Sequence, residues 1–272
     1  MTQDNILSFG KLKYLKLALA LMALCIILYA FDNPPLKPNG GTPLGYGLGT
    51  VAALLILWLL AFGMRKRAYH STLGTLRGWL SAHVYLGLAL TVVATLHTGF
   101  EFAWNIHTLA YALTIAVILS GFWGVVLYLR QPAMMGNLLN GQTLQQYGQS
   151  LRDLDDECRQ LAGTTTPEIQ ACLAESARAH IFDAYWQRFT GRNRHCATQQ
   201  TLTALEQNRA ERTPLLQEIY TLQFRRLQQL NRIRAYVRLK SWTEVWLIVH
   251  VPLSFALLAC LIAHIVAVFF YW

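Results

Sequence analysis

Charge is what this sequence has least of. Asp, Glu, Lys and Arg together make up 14% of its 272 residues, against 54% hydrophobic residues and a mean hydropathy of +0.31. That composition excludes an ordinary soluble domain and fits a polytopic membrane protein with several spans and one modest polar segment. Cysteine is sparse as well. The five cysteines form neither CxxC nor CxxCH, which argues against covalent c-type haem and against an iron–sulfur cluster ligated by this chain. No small-residue cleavage site follows the first apolar run, so that run is expected to be a span, not a secretory signal. The net charge of +9 does not point to nucleic acid. The basic residues flank apolar runs, as they do at membrane borders.

The apolar runs divide the chain. Residues 1–45 hold a basic leader (Lys11, Lys13, Lys16), a first span from about Leu15 to Phe31, and a Pro- and Gly-rich loop, DNPPLKPNGGTPLGYG. Residues 46–130 hold three more spans: Tyr46–Met64, ending at Arg65-Lys66-Arg67; Trp79–Phe100; and Ile106–Leu129, closed by Arg130-Gln131-Pro132. Residues 131–240 are polar and Gln- and Arg-rich. Thr166-Pro167-Glu168 reads as a helix start. Leu202, Leu205, Leu215, Leu216, Ile219, Leu222, Leu227, Leu230 and Ile233 form an amphipathic stripe, so a small helical bundle outside the membrane is expected. Residues 241–272 hold a fifth span, with Ser241-x-x-Glu244 read as a capping box opening it. The expected fold is therefore all-α: five transmembrane helices and a soluble helical insertion.

One pattern occurs twice. Trp79-x3-His83-x13-His97 lies in the third span and Trp246-x3-His250-x13-His264 in the fifth. Fourteen residues are about 3.9 helical turns, so the two histidines of each span lie roughly 40° apart on one face and roughly 21 Å apart along the axis. A hydrocarbon core roughly 30 Å thick then holds one imidazole of each span in each leaflet. Ionisable residues inside a bilayer are costly and mark function by default. A histidine hydrogen-bonded across a helix pair is the plain alternative, but it does not predict two pairs with identical spacing. Neutral imidazole is a good iron ligand, and two facing helices supply a bis-His haem site. Two b haems are therefore expected.

Lys and Arg placement orients the chain. The leader, the Arg65–Arg77 loop and both ends of the insertion are basic, and the loops after the first and third spans are not. The positive-inside rule puts the N-terminus and residues 131–240 in the cytoplasm and the C-terminus outside, in the inner membrane of a bacterium. The third and fifth spans then run parallel. His83 is level with His250 as ligands of an inner haem, and His97 with His264 as ligands of an outer one. Gly49 and Gly63 in the second span, and Ala110 and Gly124 in the fourth, repeat the fourteen-residue offset. They are candidates to let a flat macrocycle approach the backbone, with ordinary helix packing as the alternative. Arg65, Arg67, His70 and Arg77 are candidate propionate partners or plain topology markers. At the outer side Tyr46, Glu101, Trp104 and His107 cluster. Glu101 and His107 are candidate proton acceptors from a quinol, and the two aromatics are interfacial anchors. Cys158, Cys172 and Cys196 are expected to be free thiols in the cytoplasm; in an inverted topology Cys158 and Cys172 would be a candidate disulfide. Cys25 and Cys260 read as packing residues.

Two parallel helices, each with His-x13-His, resemble the four-helix dihaem core of cytochrome b from the quinol:cytochrome c oxidoreductases. The resemblance covers the second to fifth spans, and the ferric reductase and NADPH oxidase membrane domains are similar in spacing. It implies a dihaem four-helix bundle and an electron-transfer subunit that works with quinone or quinol. The implied partner is an iron–sulfur protein or a c-type cytochrome. The chain departs from both families. It has no Pro-Glu-Trp-Tyr element, no extra C-terminal helices and no Gly-rich dinucleotide fingerprint, and residues 131–240 belong to neither. Two other functions remain open at this point: a transmembrane reductase passing electrons outward to a metal ion or periplasmic protein, and a non-redox scaffold or proton-relay subunit.

Overall fold

The computed structural model describes residues 6–270, apart from Pro35, Leu36, Tyr69, Ser71, Asn140, Asp183, Arg194, His195 and residues 208–212; Pro132, Ala133 and Asn137 are described by their backbone only. Helix is the only regular structure among the described residues, with no strand. The helices are α1 (Phe9–Phe31), α2 (Pro43–Arg67), α3 (Leu76–Thr98), α4 (Ile106–Leu139), α5 (Leu144–Ala162), α6 (Pro167–Arg178), α7 (Gln187–Thr190), α8 (Ala197–Gln207) and α9 (Pro214–Phe270). α1, α2, α3, α4 and α9 are each long and apolar enough to cross a membrane, so the chain is a multi-pass membrane protein. The chain divides into two compact units, Met1–Val126 with Trp246–Trp272, and Leu127–Val245.

In the first unit α3 is the inner helix. Of its most apolar window 44% is buried, against 11–17% for the other four spans. Small residues make this possible: Ala18 of α1 meets Ala89 and Tyr85 of α3, and the Tyr85 hydroxyl donates to the Leu7 carbonyl at 2.8 Å. Thr42 and Thr75 cap α2 and α3, each accepting from the backbone N–H three residues on. Regular helix in α1 begins only after Leu12, because Gly10, Lys11 and Leu12 have left-handed backbone angles. That agrees with the expected start near Leu15. Exposed Leu17, Leu54, Leu119 and Ile262 are suited to lipid.

Two expected boundaries are corrected. α4 does not close at Arg130-Gln131-Pro132 but runs on to Leu139. Gln131 is buried there; its amide donates to the Leu239 carbonyl at 2.6 Å and accepts from the Thr243 hydroxyl, tying α4 to α9. Nor does a helix open at Ser241. α9 is continuous from Pro214, so Ser241 is an interior residue and Glu244 caps nothing; it faces Lys240 one turn back at 3.9 Å. The stretch between Pro214 and Pro252 contains neither glycine nor proline, so nothing in it stops a helix. The expected end of the fifth span at Trp272 lies outside the described residues.

The second unit is the expected helical bundle, with α6 starting at Pro167. α5 opens with a capping box between Thr143 and Gln146. Of the predicted stripe, Leu202, Ile219, Leu222, Leu230 and Ile233 are fully buried. A polar chain crosses this core. The Arg226 guanidinium pairs with Asp155 at 2.6 Å and bonds Thr198, which meets Ser176 at 2.8 Å; Ser176 donates to Gln223 at 3.1 Å. Every member has a partner, as a buried ion needs.

Cys25, Cys158, Cys172, Cys196 and Cys260 are all free thiols. Burial pushes the Cys158 thiol up, although the Gln223 amide donates to it. Cys196 is buried too, but the Arg234 guanidinium donates to its sulfur at 3.3 Å and brings it below the ordinary thiol range. Cys196 also lines a recess of about 340 Å³ with Gln199, Asn231 and Arg234. Alkylation followed against pH is therefore expected to reach half-maximal rate at lower pH for Cys196 than for Cys158. Mass mapping of iodoacetamide adducts checks this, and the opposite order would remove the Arg234 effect.

Candidate functional site

The histidines stand in two tiers of the first unit. In the tier near the C-terminal end of α3, His97 Nδ1 lies 2.8 Å from the Gly45 carbonyl. A carbonyl only accepts, so Nδ1 carries the proton and Nε2 keeps its lone pair for a ligand. The ring rests in a bed of glycines. A Cβ at Gly49 would lie 2.7 Å from His97 Cε1, and one at Gly40 would lie 3.2 Å from it. Gly99 ends α3 with φ +57°, and a Cβ there would meet the Pro38 carbonyl at 2.1 Å, so the loop before α2 is held close to His97.

Across from His97 stands His264 of α9, its ring centre 6.0 Å away and its plane at 79°. Two imidazoles on opposite sides of one metal, each bonded at roughly 2 Å, have ring centres about 6 Å apart. His264 is itself held from behind: its Nδ1 lies 2.7 Å from Nδ1 of His107 in α4, so one ring donates and the other accepts.

The other tier contains His83 and His250. His250 Nδ1 lies 2.8 Å from the Ser120 hydroxyl, which also bonds the Val117 carbonyl at 2.7 Å. The hydroxyl has one proton and Val117 takes it, so His250 Nδ1 is the donor in the other bond and Nε2 is again bare. Trp246 stacks on the same imidazole at 5.5 Å and 27°, and its indole N–H donates to the Ser120 carbonyl at 2.8 Å. Gly124 makes this possible: a Cβ there would lie 2.2 Å from the Trp246 ring. His83 is different. It packs on Phe62 at 5.1 Å, and its Nδ1 is buried without a hydrogen-bond partner. Ser81 and Thr91 of the same helix also hold buried, unpaired hydroxyl oxygens. Such groups cost about 1–3 kcal/mol each when nothing binds them. Among the described residues no ring contact joins His83 to His250.

An apolar layer separates the tiers. Leu90, Val93 and Ala94 lie between His83 and His97 in α3, and Leu257 and Leu261 between His250 and His264 in α9. They pack into one cluster with Leu48, Ala52 and Ile56 of α2. Crossing such an apolar layer is costly for water and ions.

The other expected site residues scatter. Gly63 faces open space, with nothing within 4 Å of a Cβ, so of the second-span pair only Gly49 touches the site. Arg65 does not reach into the bundle; it donates to the Ala68, Leu73 and Gly74 carbonyls at 3.2, 3.3 and 2.8 Å. Arg67, His70 and Arg77 are exposed. Trp79 and Trp246 occupy equal sequence positions but unlike surroundings, since Trp79 stacks on Trp58 at 5.1 Å and not on a histidine. Glu101, Trp104 and Tyr46 are exposed, and His107 is held by His264. Three site residues are additional to the expected ones: Gly45, Ser120 and Gly121, whose Cβ would lie 3.5 Å from His250 Cε1. Gly45-x3-Gly49 and Ser120-x3-Gly124 are small-xxx-small pairs that mark close packing and could have exposed them.

No group of three or more His, Cys, Asp or Glu side chains gathers for a metal ion among the described residues. Compared with known protein families, curated proteins and solved structures, the chain matches none.

Proposed function

We propose that the chain is the dihaem cytochrome b subunit of a membrane redox complex, passing electrons across the bilayer between the quinone pool and a partner redox subunit. The observation that carries this reading is the His97–His264 pair, 6.0 Å apart, with His97 Nδ1 committed to a backbone carbonyl. It is joined by His250, whose Nδ1 is committed to Ser120, and by the buried, unpaired His83 Nδ1. These residues fit a pair of b haems. His97 and His264 would hold one, His83 and His250 the other. Each haem, when bound, would supply a one-electron carrier.

The chain's own residues do the rest. Gly45 and Ser120 fix the tautomers that present Nε2. Gly40 and Gly49 leave room beside His97, and His107 orients His264. The Leu90–Val93–Leu257–Leu261 layer excludes water between the tiers and keeps the local dielectric low. Arg65, Arg67 and Arg77 would supply the cations for propionates. Glu101, exposed just after α3, would accept a proton from a quinol. The basic Arg65–Arg77 loop and insertion ends orient the N-terminus and residues 131–240 to the cytoplasm of a bacterial inner membrane, with the C-terminus outside. The partner would be an iron–sulfur protein or a c-type cytochrome.

The test is reduction of the purified protein by a quinol analogue, followed in the b-type absorption bands. Reduction that a quinone-site inhibitor blocks is expected. Haem reducible by dithionite but never by quinol would remove the quinone link and leave only the wire.

A further inference from the structure

The second unit carries an aromatic cluster that its core does not use. Around α7, Tyr185, Trp186 and Phe189 contact one another, with ring centres 5.8–6.5 Å apart. Phe189 reaches Trp242 of α9 at 6.0 Å. Tyr185 is 65% exposed and Trp186 77%. Leaving such rings in water forfeits most of their burial energy, and a contiguous patch of them marks a contact surface.

Its place along the chain says what covers it. Glu244 is the last charged residue before the uncharged run that ends the chain, so Trp242 sits at the level where α9 enters the hydrocarbon. The cluster is fixed at that level. Gly191 closes α7 with φ +68°, and a Cβ there would lie 3.2 Å from the Arg238 side chain, one turn before Trp242. Basic residues accompany the rings: Arg188 lies over Tyr185 at 5.3 Å, and Arg192 follows in the chain and is exposed. Amphipathic aromatic rings with guanidinium groups among them match the headgroup region of a bilayer rich in anionic lipid. We propose that the 185–192 segment is a membrane-docking element, with Trp186 and Tyr185 inserted among lipid headgroups and Arg188 and Arg192 paired to phosphates. It would tie the polar bundle to the membrane surface a second time, beside the Trp242 turn of α9. The proposal does not depend on haem.

The full-length chain in native membranes carries the test. A photoreactive benzoylphenylalanine replacing Trp186 is expected to capture phospholipid, several-fold more than the same probe replacing Arg159, which is 73% exposed on α5. Equal yields at both positions would overturn the proposal, as would capture of a polypeptide at position 186. A conservative variant guards against misfolding. The fluorescence difference between the unaltered chain and Trp186→Phe, in nanodiscs, is expected to be quenched by lipids brominated near the headgroup. Quenching by aqueous acrylamide alone would contradict it.

Discussion

An H97A or H264A chain is expected to lose half of its b-type haem and keep the other half with unchanged spectrum. H83A and H250A should each lose the opposite half. The reason is the separation of tiers: the apolar layer of Leu90, Val93, Leu257 and Leu261 leaves no histidine able to move from one level to the other. Pyridine haemochrome content with low-temperature difference spectra of the four variants checks this. Equal loss in all four would dismantle the tiered arrangement, even if haem is present. Haem-free H97A also loses the His97 bond to the Gly45 carbonyl.

A single methyl group should tell two glycines apart. Gly49→Ala places a Cβ 2.7 Å from His97 Cε1, whereas Gly63→Ala meets nothing within 4 Å. The crowded site must shift, because the His97 ring is pinned by the Gly45 carbonyl on one side and approached by His264 on the other. Overpacking of this kind costs about 1–3 kcal/mol, which is roughly a fivefold to 150-fold loss of haem affinity when it falls on one site. Gly49→Ala is expected to weaken the His97–His264 haem alone, and Gly63→Ala to leave both untouched. Haem retention on dilution, read per tier, makes the comparison. If the two variants behave alike, the glycine bed is ordinary helix packing.

The spans and the approach of His97 to His264 were legible because each follows from one period. Apolar length marks a span, and fourteen residues return a side chain to the same face. What failed needed information about neighbours. Gly49 and Gly63 share an offset, yet only one of them has a ring against it, and spacing carries no record of that. Trp79 and Trp246 look equivalent in sequence, but Gly124 admits the second against His250, while Trp58 takes the first. Ser241-x-x-Glu244 has the letters of a capping box, and only the lack of any helix breaker upstream reveals that the helix had begun at Pro214. The Arg226–Asp155–Thr198–Ser176–Gln223 chain joins four helices and leaves no local pattern at all.

Redox-difference spectroscopy of the purified full-length protein, with iron and porphyrin quantified against polypeptide, bears most directly on the central proposal. Two b-type haems per chain with low-spin bis-imidazole signals are expected. A chain that purifies from membranes folded, and binds no haem when it is supplied, would contradict the electron-carrier reading and leave the four histidines as packing residues.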